Sequence, residues 1–194
     1  MKQRTAPELP PIQDVRKELQ RERYKRRYAS VFSSTVSTLI VVAAVAILVA
    51  TLWLPVLQIY GSSMTPTLQD GEIIFSVKTA EPEPGDVIAF YYNNKILVKR
   101  VIGKPGDWIK ITGDGTVYVN EVRLDEPYVE EMALGECDLE FPYQVPDGKW
   151  FVLGDHRATS VDSRSSVVGC VAQEQIVGKI LFRVWPLSRL GAVD

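Results

Sequence analysis

The run Ile96-Leu97-Val98-Lys99-Arg100-Val101-Ile102 reads as a β-strand. It is rich in aliphatic residues, and successive side chains in a strand point to opposite faces. Leu97, Lys99 and Val101 then share one face, and Val98, Arg100 and Ile102 the other. Short apolar runs of the same kind recur on both sides: Glu72–Lys78, Asp86–Tyr92, Asp107–Thr112, Val117–Leu124, Trp150–Leu153 and Val177–Trp185. Turn chemistry separates them, at Pro84-Gly85-Asp86, Asn93-Asn94, Pro105-Gly106-Asp107, Gly113-Asp114-Gly115 and Pro146-Asp147-Gly148. Only Gln173–Ile176 hints at a short helix. Residues 125–148, with Pro127, Pro142 and several acids, read as an irregular excursion. The prediction is a mainly β, twisted, barrel-like antiparallel domain.

Upstream of this domain the pattern changes. From Tyr28 to Gln69 there is no charged residue, and Val36–Leu57 is dominated by Val, Ile, Leu and Ala. A helix over Ser34–Leu54 would span about 31 Å, which matches a hydrocarbon core of ~30 Å. Pro55 is a natural helix end, and Trp53 and Tyr60 stand where aromatic rings favour a membrane interface. The run is too long for the apolar region of a cleavable signal peptide and apolar on every face, unlike a buried core helix.

Residues 1–29 carry nine Lys/Arg against four acids, a charge of +5. With −2 overall, the remainder carries −7. The basic cluster Arg21–Arg27 precedes the apolar run, and no basic residue follows before Lys78. This bias predicts residues 1–30 as a cytoplasmic tail, 31–57 as a single transmembrane helix and 58–194 as an extracytoplasmic β domain. Residues 1–13, with three prolines, are expected to be disordered, and residues 14–29 to form a charged helix. An acidic main domain gives no reason to expect nucleic-acid binding. One histidine and two cysteines, without metal-ligand spacing, give no reason to expect a metal. Cys137 and Cys170 could pair in an oxidising compartment or stay as free thiols.

Three stretches carry reactive side chains. Gly61-Ser62-Ser63-Met64-Thr65-Pro66-Thr67-Leu68 lies just past the apolar run. Ser63 is eight residues beyond Pro55, so it stays within ~25–30 Å of that point. This stretch is either a polar linker or the site of a nucleophile that needs an activating base. Lys99 sits between Leu97 and Val101. If that face is covered, desolvation favours the neutral amine, which can act as a general base; an edge strand would leave the ammonium in solvent. Gly154–Arg164 is dense in polar side chains, with opposite charges at Asp155/Arg157 and Asp162/Arg164. It is either a surface loop with weak local ion pairs or a brace for catalytic groups.

Taken together these motifs resemble the bacterial type I signal peptidases, in the compact form of Gram-positive bacteria. The resemblance rests on Ser63–Leu68, Pro84–Phe90, Lys99–Gly103 followed by Pro105-Gly106-Asp107, and Gly154–Arg164, in the family's order. It covers most of residues 55–185. It implies a serine endopeptidase that removes signal peptides after small residues, Ala-x-Ala-like, with the fold shared by signal peptidases and repressor proteases. No cofactor is implied. Implied partners are signal peptides of exported preproteins, membrane lipid and the export translocon.

By the same resemblance Ser63 is the nucleophile and Lys99 the general base. The Ser63 N–H binds the oxyanion. Ser160 orients the Lys99 amine, Asp162 and Arg164 brace the loop, and Met64 lies beneath the catalytic groups. Leu57, Ile59, Leu68, Leu97 and Val98 line the substrate pockets. Gly61 stands where some members carry a second oxyanion-stabilising serine. His156 stands where many carry Asn, which raises a Ser–His pair as a rival. Since Lys99 is present, a structural role for His156 is expected. A self-cleaving repressor-type protease and an inactive membrane-anchored β module binding export machinery are the alternative readings.

Overall fold

The computed structural model describes residues 12–53, 55–78 and 81–193. The chain divides into two compact units between Val49 and Ala50. The first unit is most of one helix, α1 (Ile12–Trp53). Its segment Arg16–Leu48 is long and apolar enough to cross a membrane, by length and composition. Two hydroxyls within it bond back along the helix: Thr35 Oγ1 donates to Val31 O and Thr38 Oγ1 to Ser34 O, each at 2.9 Å. Such bonds pair these two hydroxyls within the helix itself, as an apolar surrounding requires.

The expected charged stretch 14–29 is part of the same helix, and Ile12 and Gln13 are helical rather than disordered. Residues 1–11 of the expected disordered stretch, and the Trp53 side chain, lie outside what is described. The helix expected to reach residue 57 ends earlier. α1 ends at Trp53, and Val56–Gln58 is a strand. Pro55 cannot continue the helix, and its carbonyl accepts from Ser76 N at 3.0 Å.

The β domain contains β1 (Val56–Gln58), β2 (Ile73–Val77), β3 (Val87–Tyr92), β4 (Lys95–Gly103), β5 (Trp108–Ile111), β6 (Val117–Val119) and β7 (Val122–Arg123). It continues with β8 (Tyr143–Gln144), β9 (Lys149–Leu153), β10 (Val171–Ala172), β11 (Ile176–Trp185) and β12 (Gly191–Ala192). All pairings are antiparallel. The large sheet runs β1-β2-β11-β3-β4-β9-β10 with β12 on β11, and a smaller one runs β7-β6-β5-β8. The path from β1 to β10 stays open, so the arrangement is barrel-like without closing.

Period-two alternation builds the core. On β3, Val87 and Ala89 join one buried cluster with Ile59, Met64, Leu68 and Ile74, while Ile88 and Phe90 join another with Val101 and Val152. On β9, Phe151 and Leu153 turn to a third cluster shared with Ile109 and Val117 of the small sheet. Val117–Leu124, expected as one strand, is a hairpin. Asn120 and Glu121 have φ of 50° and 69°, the left-handed conformation of a tight hairpin turn. The helical hint at Gln173–Ile176 is one 3₁₀ turn, Gln173–Gln175. Within the excursion Leu134, Leu139, Phe141 and Tyr143 pack on the third cluster, so it is tied to the domain despite its acids.

Candidate active site

β4 and the turn after β1 supply Lys99 and Ser63, the pair expected to react. The turn closes through Thr65 N and Oγ1, both donating to Ser62 O, and Leu68 N, donating to Met64 O. Ser63 sits at its start. The Lys99 Nζ lies 2.7 Å from Ser63 Oγ. Lys99 is 3% exposed, although it carries an ionisable amine. Burial lowers its pKa to about 8; Asp162 and Asp155 oppose this, and Arg164 adds to it. A substantial fraction of the amine is therefore neutral near physiological pH. The covered-face condition set for Lys99 is met, and Leu97 and Val101 pack into one cluster while Val98 packs into another.

Gly154–Arg164 sits against this pair. His156 N donates to Ser63 O at 3.1 Å, fixing the carbonyl of Ser63 itself. The His156 ring pairs through Nδ1 with Thr159 Oγ1 at 2.9 Å. The hydroxyl of Ser63 is bonded to Lys99, and the His156 ring is bonded to Thr159. Asp162 accepts from Arg164 Nε and Nη2, each at 2.8 Å, and from Gly154 N at 3.0 Å. Arg164 also donates to the carbonyls of Leu134, Arg157 and Ser160. Gly154 is required here. A Cβ on it would lie 2.2 Å from Ser160 Oγ and 2.5 Å from Ser63 O.

Ser160 Oγ is buried without a hydrogen-bond partner, so the bond expected from it to the Lys99 amine is not formed. Gly61 has φ of 90°, which explains glycine at that position, and its N–H donates to Asp70 Oδ1 at 2.7 Å. The Gly61 N–H is thereby committed elsewhere, and among the described residues the Ser63 N–H donates to nothing. Both cysteines are free and half-buried.

The local ion pair read between Asp155 and Arg157 is not formed. Asp155 takes both Arg100 Nε (3.0 Å) and Nη2 (2.9 Å), and Thr67 Oγ1 donates to it as well. Arg157 instead forks onto Glu126 and donates to Gly154 O at 3.0 Å. Arg100 also lies over the Tyr128 ring, 3.9 Å from its centroid. All six of these side chains are buried or half-buried. Sequence reading missed Glu126, Tyr128 and Asp70, because nothing local marks partners so far along the chain.

A groove of about 570 Å³ opens beside Ser63 and Lys99, with Leu57, Ile59, Met64, Leu97 and Val98 on its walls. Leu68, expected among them, lines no part of it. Its backbone closes the turn on Met64, which carries its side chain into the core at 0% exposure. β4 pairs with β3 from Lys95 to Arg100, but with β9 only from Arg100 onward. Among the described residues β1 pairs only with β2. Two free strand edges therefore border the groove.

Three comparisons bear on this geometry. The family described as signal peptidase, peptidase S26, matches residues 32–185. Signal peptidase IB of Staphylococcus aureus (strain Mu50 / ATCC 700699) is 41% identical over 150 residues, covering 67% of this chain and 77% of that protein. Signal peptidase I T of Bacillus subtilis (strain 168) is 37% identical over 143 residues, covering 67% and 73%. A crystal structure of a signal peptidase I from Enterococcus faecalis V583 is similar at 33% identity, covering 51% of this chain and 96% of that one, with a TM-score of 0.42.

Proposed function

Because the chain belongs to the signal peptidase family, peptidase S26, we propose that Ser63 is its nucleophile and Lys99 its general base. The protein is a serine-type endopeptidase that cleaves signal peptides from exported preproteins. One observation carries the residue assignment: a buried lysine amine of lowered pKa, 2.7 Å from a serine hydroxyl. Neutral Lys99 takes the Ser63 proton as Oγ bonds to the scissile carbonyl carbon. The Ser63 N–H faces the developing oxyanion. As the C–N bond breaks, the Lys99 ammonium returns its proton to the leaving amine of the mature protein. Lys99 then deprotonates the water that hydrolyses the ester, releasing the signal peptide and restoring Ser63.

The free edges of β1 and β4 suit an extended peptide added as a strand between them. Alternate side chains of that strand, two residues apart, would meet the groove wall. Leu57, Ile59, Leu97 and Val98 give that wall an apolar surface, in keeping with the apolar small residues of Ala-x-Ala sites. The basic Arg21–Arg27 cluster supports a cytoplasmic N-terminus, a single crossing by α1 and an extracytoplasmic β domain. Membrane lipid around α1 and the export machinery complete the partners. The inactive binding module is disfavoured, because it would not need a desolvated lysine on a serine.

The test is cleavage of a preprotein by the full-length protein in detergent, with the cut mapped by mass spectrometry. We expect a single cut after a small residue. Ser63→Ala and Lys99→Ala should each lower kcat by at least about 10³-fold while the fold is retained, since dyad members act as a unit. Near-normal turnover by folded Lys99→Ala would remove the dyad. A cut after a bulky residue would remove the specificity argument.

A further inference from the structure

The nucleophile turn is held at its far end by a charge cluster outside the groove. Glu72 is 2% exposed and accepts from two arginines: Arg189 Nη1 at 2.6 Å and Arg183 Nη1 at 3.0 Å. Its second contact is to the chain it follows, because Gln69 N donates to Glu72 Oε2 at 3.1 Å. Each arginine also reaches a carbonyl of the turn. Arg183 Nη1 donates to Thr67 O at 2.9 Å, and Arg189 Nη2 to Pro66 O at 3.2 Å. Arg183 Nε in turn donates to Arg189 O at 2.7 Å, locking the two arginines together.

These residues are far apart in sequence. Arg183 lies on β11, and Arg189 ends the 3₁₀ turn Leu187–Arg189. Neither touches the groove. The turn is thus gripped at both ends: His156 N holds Ser63 O at its start, and the two guanidiniums hold Pro66 O and Thr67 O at its end. Buried carbonyls need donors, and only a planar guanidinium spans a carboxylate and a carbonyl with fixed geometry.

We infer that Arg189 and Glu72 are positioning residues for catalysis: they fix the Ser62–Leu68 turn, and through it the direction of the Ser63 hydroxyl and N–H. The inference rests on Ser63 being the nucleophile. A displacement of about 1 Å at a nucleophile costs on the order of 10²-fold in rate, while a peptide held by free strand edges still binds. The effect therefore falls on kcat and leaves KM. The Lys99 surroundings are untouched, so the pH at which activity rises also stays.

The experiment compares full-length Arg189→Ala, Arg189→Lys and Glu72→Gln in detergent, measuring kcat, KM, the pH–rate profile and Tm. We expect Arg189→Ala and Glu72→Gln to lower kcat about 10- to 100-fold, with KM within threefold and the profile unshifted. Arg189→Lys keeps the charge against Glu72 but not the fixed fork. It should recover Tm while kcat stays at least fivefold down. Normal kcat in folded Arg189→Ala, a loss confined to KM, or kcat that recovers with Tm in Arg189→Lys would each overturn the inference. Where Arg189→Ala does not fold, the Arg189→Lys comparison decides alone. Ser63→Ala run alongside separates the two readings: its retained activity would refute the nucleophile, and its loss with normal Arg189→Ala turnover would refute only the positioning.

Discussion

Lys99 and Arg100 are neighbours on β4, 3% and 2% exposed, and they are solvated by the protein in opposite ways. Arg100 forks onto Asp155, donates to Gly85 O at 2.8 Å and lies over Tyr128. Among the described residues the Lys99 amine has one hydrogen-bond partner, the neutral hydroxyl of Ser63. Guanidinium stays charged under all ordinary conditions, so burying it requires a carboxylate. An ammonium can shed its proton instead, and a lysine buried without a bonded carboxylate does so near pH 8. The contrast separates bracing from chemistry. Buried charges that are fully paired, Arg100–Asp155, Arg157–Glu126 and Arg164–Asp162, hold the site in place. The buried base left without such a pair is the one that can accept a proton.

The sharpest way to break this contrast is to unpair a brace. Asp162→Ala leaves Arg164 buried without its carboxylate, and losing one member of such a pair costs about 3–5 kcal/mol. Thermal unfolding should show a Tm lower by roughly 10 °C or more. Because Asp162 raises the Lys99 pKa, the folded fraction should also gain activity at lower pH than the parent. A Tm within about 2 °C of the parent would mean that the pairing carries little.

A smaller effect of opposite sign is expected at the base. The folded-state pKa of Lys99 lies below its unfolded value, so the unfolded chain binds the proton more tightly. That penalty is present in full below pH 8 and disappears as pH rises toward about 10.5. Lys99→Met should therefore abolish activity yet stabilise the fold at pH 7 by about 1–3 kcal/mol, with the gain shrinking in alkali. Denaturant melts at pH 7 and pH 10 check this. Destabilisation at pH 7 would contradict it.

The sequence made part of this legible. The alternation in Ile96–Ile102 gave a physical reason for a neutral Lys99, and the ordered motifs joined it to Ser63. Most β-strands were readable from apolar runs between turn residues. β1 was not, because Val56–Gln58 continues the apolar run of the anchor, and only pairing with β2 distinguishes it. The β6–β7 hairpin was hidden because Asn120-Glu121 lacks the glycine that usually marks such a turn. Charge partners were the least readable. Asp155 was read against Arg157, two residues away, and bonds instead to Arg100 across 55 residues. Likewise nothing near Glu72 pointed to Arg183 or Arg189. Leu68 shows the same limit, since motif position does not tell a pocket wall from the core behind it.

The most direct test of the central claim, a desolvated Lys99 amine acting as base for Ser63, is the pH dependence of kcat/KM for preprotein cleavage by the full-length protein. The account predicts a tenfold rise per pH unit on the acid limb, bending to a plateau near pH 8, unchanged in His156→Ala. A flat profile between pH 6 and 9, or a bend that disappears in His156→Ala, would contradict it.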